Sequence, residues 1–340
     1  MPRLRFQSLG SNPNLMTTTF LLEAGFCQAA NAYRPEGTPS SVKGYPLAVD
    51  LRSCFDPTYS FGSGIEAAFA EAEHRHDPRP EAALVERLLE ADHYLGAPSA
   101  RDPESPYRRF VQAYPSAMFL TFNYDALLEF SLLAQGRWIP ADGFGVPADS
   151  TVPAYYRTSP IASTSSQCVL HLHGSLYLYP REFDIEDPRD GGLRLITIPD
   201  TPGFCFDPDA NAAYFIPFEK GTQDERYKIP DQRIIAPVPD KAPHLTEEYV
   251  RVVYRSAIAI AGSTTCLVSI GYSFSPTDAA SFRPVMDALP AGTHVHLVSR
   301  EGRTPDRLTR LFPTLHFGVV SSSFEAWAAA GFGLPGGAAS

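Results

Sequence analysis

Short apolar runs recur along the chain with hydrophobic residues at consecutive positions rather than alternating ones. They fall at Thr18–Leu22, Ala117–Thr121, Cys168–Leu172, Arg233–Ala236, Cys266–Ile270, His294–Val298 and His316–Val320. Their length and β-branched or aromatic content predict strands, and the absence of alternation predicts burial on both faces, as in a parallel sheet. Helical periodicity lies between them. Ala83–Tyr94 repeats Leu84, Leu88 and Val85, Leu89; Asp125–Leu133 follows directly on a strand; Thr246–Ala261 opens with Glu247 and Glu248 in its first turn. Strands alternating with helices predict a doubly wound, Rossmann-like α/β fold with a parallel sheet.

Two stretches break this rhythm. Residues 35–115 are rich in Pro, Gly and helical pattern, and residues 176–232 in Pro, Asp and aromatics. Both read as insertions forming a smaller helical and loop lobe, within one domain spanning residues 1–330. Residues 331–340, with the sequence GFGLPGGAAS, read as a flexible tail.

Composition narrows the partners. The 340 residues carry a net charge of -10, with 44% hydrophobic and 19% charged residues. The basic residues are scattered, so no face is predicted for nucleic acid. No run reaches the ~18 apolar residues of a membrane span. The N-terminus lacks the apolar core and cleavage site of a signal peptide. Five cysteines without a C-x-x-C pair argue against a structural zinc site and fit a reducing, cytoplasmic setting.

In a doubly wound sheet, ligands bind at the carboxyl ends of the strands. The residues there are small, polar or titratable. Glu23, Ala24, Gly25, Phe26 and Cys27 follow the first strand; Thr121, Phe122, Asn123, Tyr124 and Asp125 the second; His173, Gly174 and Ser175 the third. Gly271, Tyr272 and Ser273 follow the strand at 266–270, with Asp278 nearby, and Ser299 follows the strand at 294–298. Taken singly, Asn123, Asp125 and Asp278 also suit helix caps, and His173 and Ser299 ordinary loops.

Together, TFNYD, HLHGS and IGYSFSPTD, preceded by LLEAGF and GYPLAVDL and joined by IIAPVPDK, resemble the sirtuin superfamily, on the side of its bacterial sirtuin-like branch. The resemblance runs from about residue 18 to 325. It implies an NAD-binding domain that breaks the bond between nicotinamide and ribose. By the family motif, Asn123 holds ribose or water, Asp125 orients the site and His173 is the general base, a task that suits an imidazole. Ala24, Gly25, Phe26, Cys27, Thr121, Gly271, Tyr272, Ser273 and Ser299 would line the nucleotide. His171, two residues before His173, reads as a packed neighbour and not a metal ligand.

The function implied is hydrolysis of NAD to ADP-ribose and nicotinamide in bacterial anti-phage defence, by a homo-oligomer or with a partner defence protein. An NAD-dependent protein deacylase, and a non-catalytic module sensing NAD or ADP-ribose, are the other two readings. The zinc-binding cysteines of the deacetylases are absent, so no metal is expected. Two departures bear on the site. Glu23 stands where the family turn begins with Gly, and a carboxylate there repels a pyrophosphate unless it turns away or is neutralised. Cys27 stands for the usual Ser and donates only weakly.

Overall fold

A computed structural model describes residues 17–138, 167–176 and 234–335, apart from 33, 35, 37, 63, 247 and 300–303. Between 177 and 233 it describes only the strands 178–180, 193–195, 204–207 and 212–215. The chain begins with β1 (Thr18–Leu22) and α1 (Ala24–Ala32), then enters the helical lobe: α2 (Ile65–His74), α3 (Arg79–Ala91), a π-turn at Asp92–Gly96, α4 (Ala97–Arg101) and α5 (Pro106–Ala113). It returns through β2 (Met118–Thr121), α6 (Leu127–Leu133) and β3 (Val169–His171). Two small antiparallel ladders follow, β4 (Leu178–Pro180) with β5 (Leu193–Leu195), and β6 (Phe204–Asp207) with β7 (Ala212–Phe215). The chain continues with α7 (Glu248–Ala261), β8 (Cys266–Ile270), α8 (Ala279–Asp287), β9 (His294–Val298), α9 (Thr304–Leu311), β10 (His316–Ser321) and α10 (Phe324–Ala329).

The main sheet has six strands in the order β10-β9-β8-β1-β2-β3, every neighbouring pair parallel. Starting at β1 the chain winds outward one way through β2 and β3, then returns to β8 and winds the other way. This is the doubly wound order, with its switch point between β1 and β8. β8 is buried at every position and β1 at all but its first, as consecutive apolar residues require under helices on both faces. β10 forms one edge and is half-exposed.

The runs at 18–22, 266–270 and 294–298 form strands at those residues. The run at 233–236 does not. Its residues 234–236 form a loop, and Ile235 N–H donates to the His173 carbonyl 2.8 Å away, so the segment pairs with a turn and not with the sheet. The helix expected over 83–94 starts earlier, at Arg79, and passes into the π-turn. Most of 176–232 lies outside the described residues, although four short strands fall within it. At the C-terminus, Phe332 is buried, Trp327 Nε1–H donates to the Gly333 carbonyl and Tyr114 O–H to the Phe332 carbonyl, so the segment expected to be loose begins with packed residues.

The packing beside β1 is aromatic. Phe20 lies edge-on to Phe110 and Tyr114 at 4.8 Å, and Phe26 packs on Phe324 at 4.8 Å. This wedge of α5, α10 and residue 332 carries the first strand and positions its end.

Candidate functional site

The end of β2 is held from several sides. Asn123 N–H donates to Thr121 Oγ1 (3.0 Å), which tightens the chain as it leaves the strand. The side-chain amide of Asn123 donates to Cys27 Sγ (3.1 Å), and the Cys27 thiol donates to Asp125 Oδ2 (3.0 Å). Asp125 also acts as a cap, its Oδ1 accepting from Leu127 N–H at 3.2 Å. The two readings of Asp125 are therefore compatible. Asp92, buried in the π-turn, accepts Ala126 N–H (3.0 Å) and the Tyr45 hydroxyl (2.5 Å), tying the helical lobe to the same loop.

Burial pushes the Asp125 carboxyl up to about 6. Burial and the Asp125 charge push the Cys27 thiol well up, so it stays an S–H donor at neutral pH. Asn123, Asp125 and Cys27 thus form one connected group at the carboxyl ends of β1 and β2.

The two histidines diverge. β3 ends at His171, and His173 lies in the turn beyond it, so they do not share a strand face. His171 is buried, with Nδ1 2.8 Å from the Asn123 carbonyl oxygen and Nε2 bonded to Glu129 of α6. His173 is also buried, and its Nε2 bonds Ser281 of α8 at 2.9 Å. The Phe122 ring lies 4.7 Å from the His173 ring and 4.7 Å from Tyr272. Burial, then Lys241 and His244, push the His173 imidazole well below its usual range, so it is neutral at pH 7. Neutral is the form a base needs, but the ring faces Ser281 rather than Asn123.

At the switch point the first turn and the β8 turn touch. Glu23 N–H donates to the Ile270 carbonyl (3.1 Å), and a Cβ on Gly271 would stand 2.4 Å from the Gly25 Cα. Glycine at both positions lets the backbones meet, and Gly271 also needs its positive φ of 71°. Glu23 turns its carboxyl toward β8, where Oε2 accepts Ser273 N–H at 3.4 Å. Around it lie Asp278, Lys241 and Glu66. Lys241 and Asp278 form a buried ion pair, so Asp278 occupies a helix-cap position while its side chain serves the lysine. Burial first, then Asp278, push the Glu23 carboxyl up to about 8.

The other expected nucleotide contacts divide by exposure. Ala24 and Gly25 are half-exposed at the start of α1. Phe26 is core, with its ring on Tyr107 and Phe324 and its carbonyl accepting the Tyr107 hydroxyl. Tyr272 is buried among Phe122, Phe274 and Phe282. Thr121 Oγ1 serves the loop itself, the Ser273 carbonyl accepts from Arg307, and Ser299 N–H donates to the Ser321 carbonyl.

Glu129, Asp92, Lys241, Glu66 and Ser281 join the site without having been expected there. Glu129 had a signal, as the one charge in the apolar run LLEFSLL; an ionised group in a fully buried helix needs a partner. Among the described residues, no group of three or more His, Cys, Asp or Glu could hold a metal ion, and no helix is long and apolar enough to cross a membrane.

A sheet wound in this order, with polar strand ends gathered at its switch point, defines a doubly wound, Rossmann-like α/β protein. The chain matches no family model and no curated protein sequence. Among solved structures its fold is similar to Sir2 proteins over most of its length. A Sir2 homologue mutant in complex with ADP-ribose is 12% identical, with 93% of this chain and 90% of that one covered and a TM-score of 0.41. Sir2Tm bound to a propionylated peptide is 11% identical, with 92% and 91% covered and a TM-score of 0.37. A Sir2 homolog–NAD complex is 11% identical, with 93% and 88% covered and a TM-score of 0.36.

Proposed function

We propose that the chain binds NAD across the carboxyl ends of β1, β2 and β8 and hydrolyses its nicotinamide–ribose bond. The observation that carries this reading is the linked group Asn123–Cys27–Asp125, in which the Asn123 side-chain amide is held by the Cys27 sulfur, itself bonded to Asp125, at the ligand edge of the sheet. In the reaction, the bond between ribose and nicotinamide breaks and its electron pair goes to the ring nitrogen, discharging the pyridinium. Positive charge develops on the ribose. Water adds to the ribose carbon and loses its proton, giving ADP-ribose and nicotinamide. Asn123 orients the ribose or the water, and neutral His173 takes the proton. Ala24 and Gly25 supply backbone N–H groups at the start of α1 for the phosphates. Glu23, neutral at pH 7 and turned toward Ser273, presents no charge against them.

The bacterial setting, in which NAD depletion serves anti-phage defence through an oligomer or a partner protein, rests on the motif resemblance. One observation favours a second reading, a non-catalytic NAD or ADP-ribose sensor: His173 is engaged by Ser281 and packed against the tilted Phe122 ring.

The test is NAD consumption by the full chain with products identified, alongside Asn123→Ala and His173→Ala. The expected outcome is nicotinamide and ADP-ribose from the wild type and a loss of ~100-fold or more in each variant. Undiminished turnover in both variants would overturn the residue roles. NAD binding by calorimetry with no turnover would select the sensor.

A further inference from the structure

All seven side chains of α6 are buried, and Glu129 is the one ionisable group among them. Its partner is His171 Nε2, with both side chains 1% exposed. The other ring nitrogen, Nδ1, is 2.8 Å from the carbonyl oxygen of Asn123. A carbonyl oxygen only accepts hydrogen bonds, and so does an ionised carboxylate. Both contacts are made together only if the pair holds one proton more than a neutral imidazole beside a free carboxylate. The ring then reaches both neighbours at once, across two elements that the sequence separates widely.

We propose that Glu129 and His171 are the positioning pair of Asn123: the carboxylate fixes the imidazole, and the imidazole grips the Asn123 carbonyl so that its side-chain amide points at Cys27. The proposal rests on the reading of Asn123 as the residue that orients ribose or water. Neither member of the pair touches substrate; each acts through the Asn123 backbone. The charged and titratable groups around the ring are Glu129 on α6 and Asp125 on the loop, with Cys27 of α1 and Asp92 of the π-turn bonded to that loop. Burial works against a protonated ring, but Glu129, its hydrogen bond, the Asn123 carbonyl and Asp125 outweigh it, and the His171 imidazole is raised above its ordinary range. Its grip is therefore complete below the ordinary histidine range and is lost as pH rises through the raised value.

The full chain is compared with Glu129→Gln and Glu129→Leu. Glutamine can donate to an unprotonated Nε2 while Nδ1–H still serves Asn123, so it keeps the geometry without the charge. Leucine removes the partner. The readouts are ring ¹⁵N shifts of His171, the amide resonances of Asn123, and kcat and KM for NAD against pH. The pair predicts a mainly doubly protonated ring in the wild type at pH 6.5, the ordinary histidine value. In Glu129→Leu it predicts shifted Asn123 resonances and a kcat down ~100-fold with KM little changed. Glu129→Gln should restore both and lose the alkaline fall in kcat that His171 imposes on the wild type. A singly protonated wild-type ring, or Asn123 resonances that ignore Glu129→Leu, would overturn the proposal. If the leucine variant does not fold, the wild-type ring and the glutamine pH profile decide. If the wild type leaves NAD intact while the ring and Asn123 signatures hold, the pair stands and the hydrolase reading falls.

Discussion

Glu23 brings a carboxyl to the one turn where a nucleotide phosphate would least tolerate a negative charge. Burial beside Asp278 moves its proton affinity from 4.5 to about 8, with Lys241 and the Ser273 amide pulling the other way and Glu66 and Tyr272 also facing it. Because the folded value is the higher one, the folded chain keeps a proton that the unfolded chain has released. The associated stability is complete below 4.5 and is lost as pH rises through about 8. Glu23→Gln should therefore melt with the wild type at about pH 4 and above it at about pH 9. Melting curves that stay parallel across that range would mean the carboxyl is solvated and ionised throughout. If the chain binds NAD as proposed, affinity should weaken above the same pH in the wild type but not in the variant. Asn123 and Asp125 could be read from the chain, since they sit together in one motif behind one strand. The partner of Glu129 could not, because His171 belongs to a neighbouring strand and meets it only through the β2–β3 pairing.

The turns after β1 and β8 fit together only because each contributes a glycine. Gly271→Ala would force a Cβ to within 2.4 Å of the Gly25 Cα on a backbone at φ 71°. Gly292 also has a positive φ, 84°, but nothing lies within 4 Å of where its Cβ would go. Gly292→Ala should therefore show the backbone cost alone, ~1–3 kcal/mol, and Gly271→Ala more than that, by urea unfolding. Equal losses would mean the two turns part easily. A loop at 234–236 replaced an expected strand for a related reason. An apolar run has the same pattern whether its amides meet a strand or a turn, and here Ile235 meets the His173 carbonyl.

The aromatic wedge joins the first strand and α5 to α10 and the residues that follow it. Tyr114 O–H donates to the Phe332 carbonyl, and Phe332 itself packs on Phe110, Phe324 and Trp327. Ending the chain after Ala330 would leave the buried Tyr114 hydroxyl without its acceptor and remove a buried ring. The expected loss is ~3–5 kcal/mol, read as a lower Tm, and an unchanged Tm would show that residues 331–335 add nothing to the core. The positions of the six main-sheet strands and the doubly wound class were written in the order of apolar runs and helical periods, because burial on both faces leaves a local pattern of consecutive hydrophobic residues. The identity of the polar strand ends was equally local. How those ends are wired was settled by packing: His171 turned to Glu129 and Asn123, His173 to Ser281, and Glu23 toward Ser273 and the Lys241–Asp278 pair. Each of those contacts joins residues distant in the chain, and hydrogen bonds between distant residues leave no periodic trace in the sequence.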